Sequence, residues 1–265
     1  MNEKKVIVIT GASGGIGLAA AGLFLEKGWV VYVLSRSGCN LEGVHSVVCD
    51  VTDSTGLKKA IDKIYEEEKR IDVLVNNAGG GISGAIEKTI PADAKRLFEL
   101  NFFAPFEAIR YVVPHMRSRK NGTIINIGSV AGVLHVPFQA FYSASKAAVE
   151  ALSNCLRGEL APFGIKITTI MPGDTRTGFT DAREKRFEEN DPDYGMRISR
   201  SIKLMEDDER KGMPAGKVAQ SIYKAACSKN PGPCYVVGIN YKFFIFLGKI
   251  LPKRFVQFVL NTMYA

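Results

Sequence analysis

Cysteine is sparse and unpaired in this 265-residue chain. Its five cysteines, Cys39, Cys49, Cys155, Cys227 and Cys234, include no C-x-x-C pair. That pattern argues against a zinc site or a disulfide framework and fits a reducing compartment. No bound metal is expected. No uncharged apolar run approaches the ~18 residues that span a bilayer, and Met1-Asn2-Glu3-Lys4-Lys5 leads straight into a short apolar strand, without the apolar stretch of a signal peptide. The expected location is the cytoplasm. No internal repeat, low-complexity tract or Pro/Gly/Ser-rich linker divides the chain, so one domain is expected. Acidic charge is in deficit: the net charge is +8. Such a balance suits nucleic acid, anionic lipid or phosphorylated ligands. The basic residues are mostly interspersed with acidic ones and no nucleic-acid-binding module is present, so no nucleic-acid partner is expected.

What is present begins with an ordinary globular balance, 46% hydrophobic and 23% charged, enough for one large α/β core. Residues 5–10 (KVIVIT) form a β-branched run with the pattern of a buried strand. It enters Gly11-Ala12-Ser13-Gly14-Gly15-Ile16-Gly17, and 18–27 then reads as an amphipathic helix ended by Gly28. Strand, glycine turn and helix N-terminus together form an anion site: glycines admit a pyrophosphate, and the helix end offers free N–H groups and a positive dipole. The spacing is Gly11-x-x-x-Gly15-x-Gly17, not the commoner G-x-G-x-x-G. Residues 29–34 give a second strand, followed by Ser35-Arg36 where NAD sites usually place an acid on the ribose. A guanidinium suits a 2′-phosphate, which predicts NADP(H) over NAD(H). The alternative is a solvated surface arginine. Strands at 44–49 and 71–75 continue the alternation, separated by a charged amphipathic helix at 55–70. The first ends in Asp50-Val51, placed to meet an adenine edge. The second ends in Asn76-Asn77-Ala78-Gly79, a tight turn at a strand's carboxyl end, where ligands bind; a purely structural turn reads the same way.

In the second half, 92–116 reads as a long helical region carrying Asn101, a residue that disfavours regular helix and often bonds backbone. Strand 122–128 ends at Ser129, thirteen residues before Tyr142. A hydroxyl there can bond a substrate carbonyl, or simply end a strand. Tyr142 and Lys146 stand four apart in a helical segment and share one face. An ammonium beside a phenol favours the phenolate, which predicts a lowered tyrosine pKa and a group able to exchange a proton near neutrality.

Taken together, Thr10-Gly11-x-x-x-Gly15-x-Gly17, Asn76-Asn77-Ala78-Gly79, Asn101, Ser129, Tyr142-x-x-x-Lys146 and Pro172-Gly173 resemble, in order and spacing, the short-chain dehydrogenase/reductase family. The likeness covers about residues 4–240. It implies a single doubly wound Rossmann-type α/β domain, with a parallel seven-stranded sheet and helices on both faces. It implies that Tyr142 is the general acid for ketone reduction and the base for alcohol oxidation. Lys146 would lower its pKa and bond the nicotinamide ribose, Ser129 would orient the substrate oxygen, and Asn101 would hold a relay water. Thr175 and Thr177, in the turn after Pro172-Gly173, become cofactor candidates beside the glycine turn, Arg36, Asp50, Val51, Asn77, Ala78 and Gly79. Gly128, where many members have a second serine, is a small departure. Members are commonly dimers or tetramers, so a homo-oligomer is expected.

The segment 179–212 carries many charges and few apolar stripes; the resemblance implies a mobile substrate lid, and an ordinary pair of solvated helices fits as well. Beyond the 1–240 domain, the tail 241–265 places Phe243, Phe244, Phe246, Phe255 and Phe258 among Lys242, Lys249, Lys253 and Arg254. Such a helix can lie on an anionic membrane surface, cap a hydrophobic pocket, or pack on another subunit. This tail, with Leu134, Val136, Phe138 and Phe141, hints at a lipophilic carbonyl or alcohol substrate. The chain looks most like the hydroxysteroid-dehydrogenase-like branch, which also holds reductases of acyl lipids and retinoids. Alternatives are a small-ketone, sugar or polyol reductase, or a catalytically silent dinucleotide sensor; the intact Ser129, Tyr142 and Lys146 weigh against the sensor.

Overall fold

The computed structural model describes residues 4–187 and 189–264. Strand β1 (Val6–Thr10) is followed by α1 (Gly15–Glu26), β2 (Val30–Ser35), β3 (His45–Val48), α2 (Ser54–Glu68) and β4 (Val73–Asn76). Then come α3 (Pro91–Phe98), α4 (Ala104–Ser118), β5 (Gly122–Ile127), α5 (Ala140–Leu160) and β6 (Ile165–Pro172). The chain continues through α6 (Arg197–Lys211), α7 (Ala215–Cys227), β7 (Cys234–Val237), α8 (Ile239–Ile250) and α9 (Lys253–Tyr264). The strands form one sheet in the order β7-β6-β5-β4-β1-β2-β3, with every pair parallel. This is the doubly wound sheet expected.

Both faces of β1 are apolar because both are covered. Val6 and Val8 point into a layer with Leu57, Ile61 and Ile64 of α2 and Ala108, Val112 and Met116 of α4. Ile7 and Ile9, pointing the other way by the period-two rule of a strand, meet Ala20, Ala21 and Phe24 of α1 and Val218 and Ile222 of α7. Phe24 is fully enclosed and meets the Trp29 and Tyr223 rings edge-on at 5.0 and 5.2 Å. Truncating such a ring costs about 3–5 kcal/mol. The order reverses at β1, whose neighbours are β2 and β4. A crevice therefore opens beyond the carboxyl ends of β1 and β4, the place where such sheets take ligands.

The expected long helix at 92–116 is two helices joined by a π-turn, Glu99–Phe103. Asn101 explains the break. Its amide bonds the backbone of Gly80 in both directions, Oδ1 accepting at 2.9 Å and Nδ2 donating at 3.0 Å. The tail is likewise two helices, divided at Leu251-Pro252, because proline lacks the N–H a continuing helix needs.

Within segment 179–212 the described residues form several ordered elements. A short helix (Phe179–Ala182) leads to a strand (Glu184–Arg186) that pairs in parallel with Ile82–Gly84. Helix α6 follows with an apolar stripe at i, i+4 and i+7, namely Ile198, Ile202 and Met205, all buried against Val136, Phe138, Phe187 and Tyr194. The stripe was hidden by the charges around it. Among the described residues no helix is long and apolar enough to cross a membrane.

Candidate active site

The crevice is a single cleft of about 1310 Å³ that runs from the glycine turn to the tail. Gly11, Ser13, Gly14, Gly15 and Ile16 line one end, with Arg36, Asp50 and Val51 beside them. Asn77, Ala78 and Gly79 line its floor, and Ser129, Tyr142, Lys146, Pro172, Gly173, Thr175 and Thr177 line its centre. Two expected residues do not face the cleft. Gly17 lies beneath it, where a Cβ would sit 2.6 Å from Asn77 Nδ2 and 2.8 Å from Ala12 Cα. Asn101 lies behind Gly79, at 1% exposure.

The glycine turn is held by backbone geometry. Gly11 has φ +67° and no room for a Cβ, which would meet Ala78 Cα at 2.6 Å. At Gly14, the N-cap of α1, no side chain caps the helix and nothing lies within 4 Å of a built Cβ. The first N–H groups of α1 thus face open space, as an anion needs. Thr10 ties the two strand ends together, its Oγ1 accepting from the N–H of Asn77 at 3.0 Å and Ala78 at 3.1 Å. Asn77 Nδ2 returns hydrogen bonds to the carbonyls of Thr10 and Gly11, each 2.9 Å. These residues fit a dinucleotide: an open backbone cradle, a helix end, and a cation at the far rim. That cation is the exposed Arg36, which helps hold the Asp50 carboxyl below its ordinary range, after the larger effect of the Thr52 N–H. Asp50 Oδ1 accepts from Thr52 N at 3.0 Å and Thr52 Oγ1 at 2.8 Å.

The reacting end is built on α5. A buried polar chain anchors that helix to the sheet: Asn76 Nδ2 donates to Asn126 Oδ1 and Asn126 Nδ2 to Ser153 Oγ, both 2.8 Å. On the same face of α5, two and three turns towards its N-terminus, stand Lys146 and Tyr142. Lys146 Nζ donates to Ile127 O at 2.9 Å and lies 5.9 Å from the Tyr142 ring centre. Burial lowers the Lys146 pKa to about 8. Tyr142 departs from expectation: burial pushes its phenol upward, against the Ser129 hydroxyl, whose hydrogen bond pulls it down. Lysine does not dominate because its ammonium is aimed at the Ile127 carbonyl, while desolvation disfavours phenolate. Ser129 caps a short helical turn, Oγ accepting from Ala131 N at 3.1 Å.

Ser145, which sequence reasoning passed over, links the two expected partners. Asn101 Nδ2 donates to Ser145 Oγ at 3.0 Å, and Ser145 Oγ donates to Tyr142 O at 2.8 Å. The signal was its place between Tyr142 and Lys146, on the face turned to Asn101. Thr175 Oγ1 donates to Gly173 O at 2.8 Å, and Thr177 Oγ1 accepts from Phe179 N at 3.2 Å, so both brace their own turn.

Leu134 and Val136 line the cleft, whereas Phe138 packs with the α6 stripe. The tail closes the other end of the cleft. Tyr241 packs against Gly173, where a Cβ would fall 2.0 Å from the ring, and its hydroxyl bonds the Asp174 carboxylate. Leu247, Leu251, Val256 and Leu260 continue the apolar wall. Burial and the neighbouring Glu209 and Asp208 raise the Asp174 pKa, while the Tyr241 hydroxyl lowers it.

The family model described as short chain dehydrogenase matches residues 5–188. A 3-ketodihydrosphingosine reductase of Bacteroides thetaiotaomicron is 39% identical over 266 residues, covering 99% of both chains. An NADPH-dependent 3-dehydrocapnine reductase of Ornithobacterium rhinotracheale is 31% identical over 265 residues, 94% of each. A short-chain dehydrogenase structure from Streptomyces avermitilis superposes with a TM-score of 0.84 at 29% identity, covering 94% of this chain and 93% of that one.

Proposed function

The chain belongs to the short-chain dehydrogenase family, and from that premise we propose that it reduces a lipophilic ketone to a secondary alcohol with NADPH. The single observation carrying this reading is one continuous cleft. It joins a glycine cradle and Arg36 to Ser129, Tyr142 and Lys146, and then to an apolar wall from α8 and α9. Bound NADPH would supply the hydride. The protein supplies position and a proton.

Tyr142 is the proton donor at its phenol oxygen. Its raised pKa keeps it protonated at neutral pH, the state a donor in reduction needs. Ser129, bonded to that phenol, supports the substrate oxygen as charge grows on it. Lys146, with a pKa near 8, carries its proton at neutrality and places positive charge beneath the site. Asn101 acts through others: its amide is engaged with Gly80 and Ser145, so any relay water would rest on its remaining lone pair or on the π-turn backbone. Arg36 would take the 2′-phosphate through its guanidinium.

Two features favour a lipophilic substrate over a sugar. The wall of α8 and α9 offers apolar side chains, and both named relatives are ketone reductases, one of a sphingoid ketone. The test is a ketone panel of rising chain length, assayed with NADPH and with NADH. The reading expects kcat/KM to rise with chain length and to favour NADPH. A preference for short polyols or sugars would overturn the substrate class, and a preference for NADH would overturn the cofactor.

A further inference from the structure

Apart from Ile239, which reaches the cleft, one apolar stripe of the tail lies outside it. On α8, Ile239, Phe243, Phe246 and Ile250 follow one another at spacings of four, three and four, a single helical stripe. They are 79%, 58%, 58% and 64% exposed. On α9, Phe258 is 67% exposed. Phe243, Phe246, Ile250 and Phe258 do not line the cleft. Solvated helices rarely leave so many large apolar side chains uncovered in one place.

Charge identifies what covers them. Residues 239–265 carry Lys242, Lys249, Lys253 and Arg254 and no aspartate or glutamate. All four cations are exposed, and among the described residues none forms an ion pair. Lys249 is near enough to the half-buried Glu150 to draw its pKa down against burial. A symmetric pairing of two tails would bring eight cations together with no carboxylate between them, which disfavours a second copy. Aromatic residues that enter a headgroup layer, rimmed by cations, match an anionic bilayer. The cleft rim repeats the theme: Phe244, Phe255, Val259 and Met263 line the cleft and are themselves exposed.

We propose that the outer face of α8 and α9 docks on the surface of an anionic membrane, with the apolar stripe in the headgroup layer and the four cations on lipid phosphates. The helices lie on the bilayer and do not cross it. Because their other side walls the cleft, docking would set the cleft rim beside lipid. The docking claim stands on the tail alone and holds whether or not the reductase reading does.

The test is co-sedimentation of the full chain with two vesicle types, phosphatidylcholine alone and phosphatidylcholine with about one third phosphatidylglycerol, at low and high salt. Binding is expected on the anionic vesicles, little on the neutral ones, and less in high salt because screening weakens the cations' pull. Phe243→Ser with Phe246→Ser, and separately Lys242→Glu with Lys253→Glu, should each weaken binding at least about fivefold. Far-ultraviolet circular dichroism, and NADPH turnover of a short water-soluble ketone, should match wild type, since none of the four residues lines the cleft. Negligible pelleting of wild type on anionic vesicles overturns the proposal. So does a salt-stable dimer that the phenylalanine variant dissolves, for then a second copy covers the stripe. Vesicle binding without ketone turnover would leave docking standing and sink only the reductase reading.

Discussion

The proposed cofactor end and the proposed substrate end of the cleft are built by different means. At the cofactor end the backbone does the work. Gly11 and Gly17 stand where a Cβ would collide with Ala78, Asn77 or Ala12, and Thr10 and Asn77 stitch the turns with four hydrogen bonds. At the substrate end the wall is side chain on helices α6, α8 and α9. Ion pairs brace its α6 side: Lys185–Glu206 at 2.6 Å ties α6 to the short strand before it, and Arg96–Glu184 at 2.7 Å ties that strand to α3. Backbone constraints admit one residue type and leave a spaced signature. An apolar wall accepts many side chains of similar volume and leaves little.

The largest effect expected is at the junction of the two ends. Tyr142→Phe keeps the ring and removes the proton, so kcat should fall at least ~100-fold while NADPH still binds. Stopped-flow turnover with parallel cofactor titration checks both; undiminished kcat would remove Tyr142 from the chemistry. Arg36→Asp should weaken NADPH binding about ten- to a hundredfold, the worth of charge-assisted bonds to a phosphate. NADH affinity should hold or rise. Equal losses for both cofactors would place Arg36 outside the 2′ site.

Ile202→Ala probes the other end. It empties a position at 2% exposure and should cost about 2–4 kcal/mol at α6, seen as protease sensitivity around 197–211. Nucleotide affinity should change little if the two ends are as separable as their construction implies. A matching loss of NADPH binding would break the comparison.

The smallest effect is that of pH. The folded pKa of Lys146 is depressed from 10.5 to about 8. The folded state therefore binds fewer protons at this site than the unfolded chain. Its contribution to stability is fully present above about 10.5 and is lost as pH falls to about 8. Lys146→Met should flatten that part of a stability–pH curve. Over the same window kcat/KM for reduction should fall with rising pH as the ammonium loses its proton.

The same contrast governs what the sequence disclosed. Gly11, Gly15 and Gly17 stood out because turn geometry asks for glycine, and Tyr142 and Lys146 because helical spacing puts them on one face; Ser129 was assigned its role only through the family resemblance. The sheet was legible from its β-branched runs. The direction of the Tyr142 pKa was not, since it depends on where the Lys146 ammonium points and how dry the phenol is. Ser145 joins Asn101 to α5 through a contact 44 residues apart: its place between Tyr142 and Lys146 marked it, but only the fold shows its partner. The α6 stripe of Ile198, Ile202 and Met205 sat unread among lysines and glutamates. The tail's two faces emerged only when one was found in the cleft.

The central claim is that hydride from NADPH and a proton from Tyr142 reach one ketone carbon and oxygen in this cleft. A single-turnover reaction of enzyme-bound NADPH with a long-chain ketone, followed by product analysis, tests it most directly. One secondary alcohol formed per NADPH oxidised is the predicted result. Tight NADPH binding with no oxidation on adding ketone would contradict it.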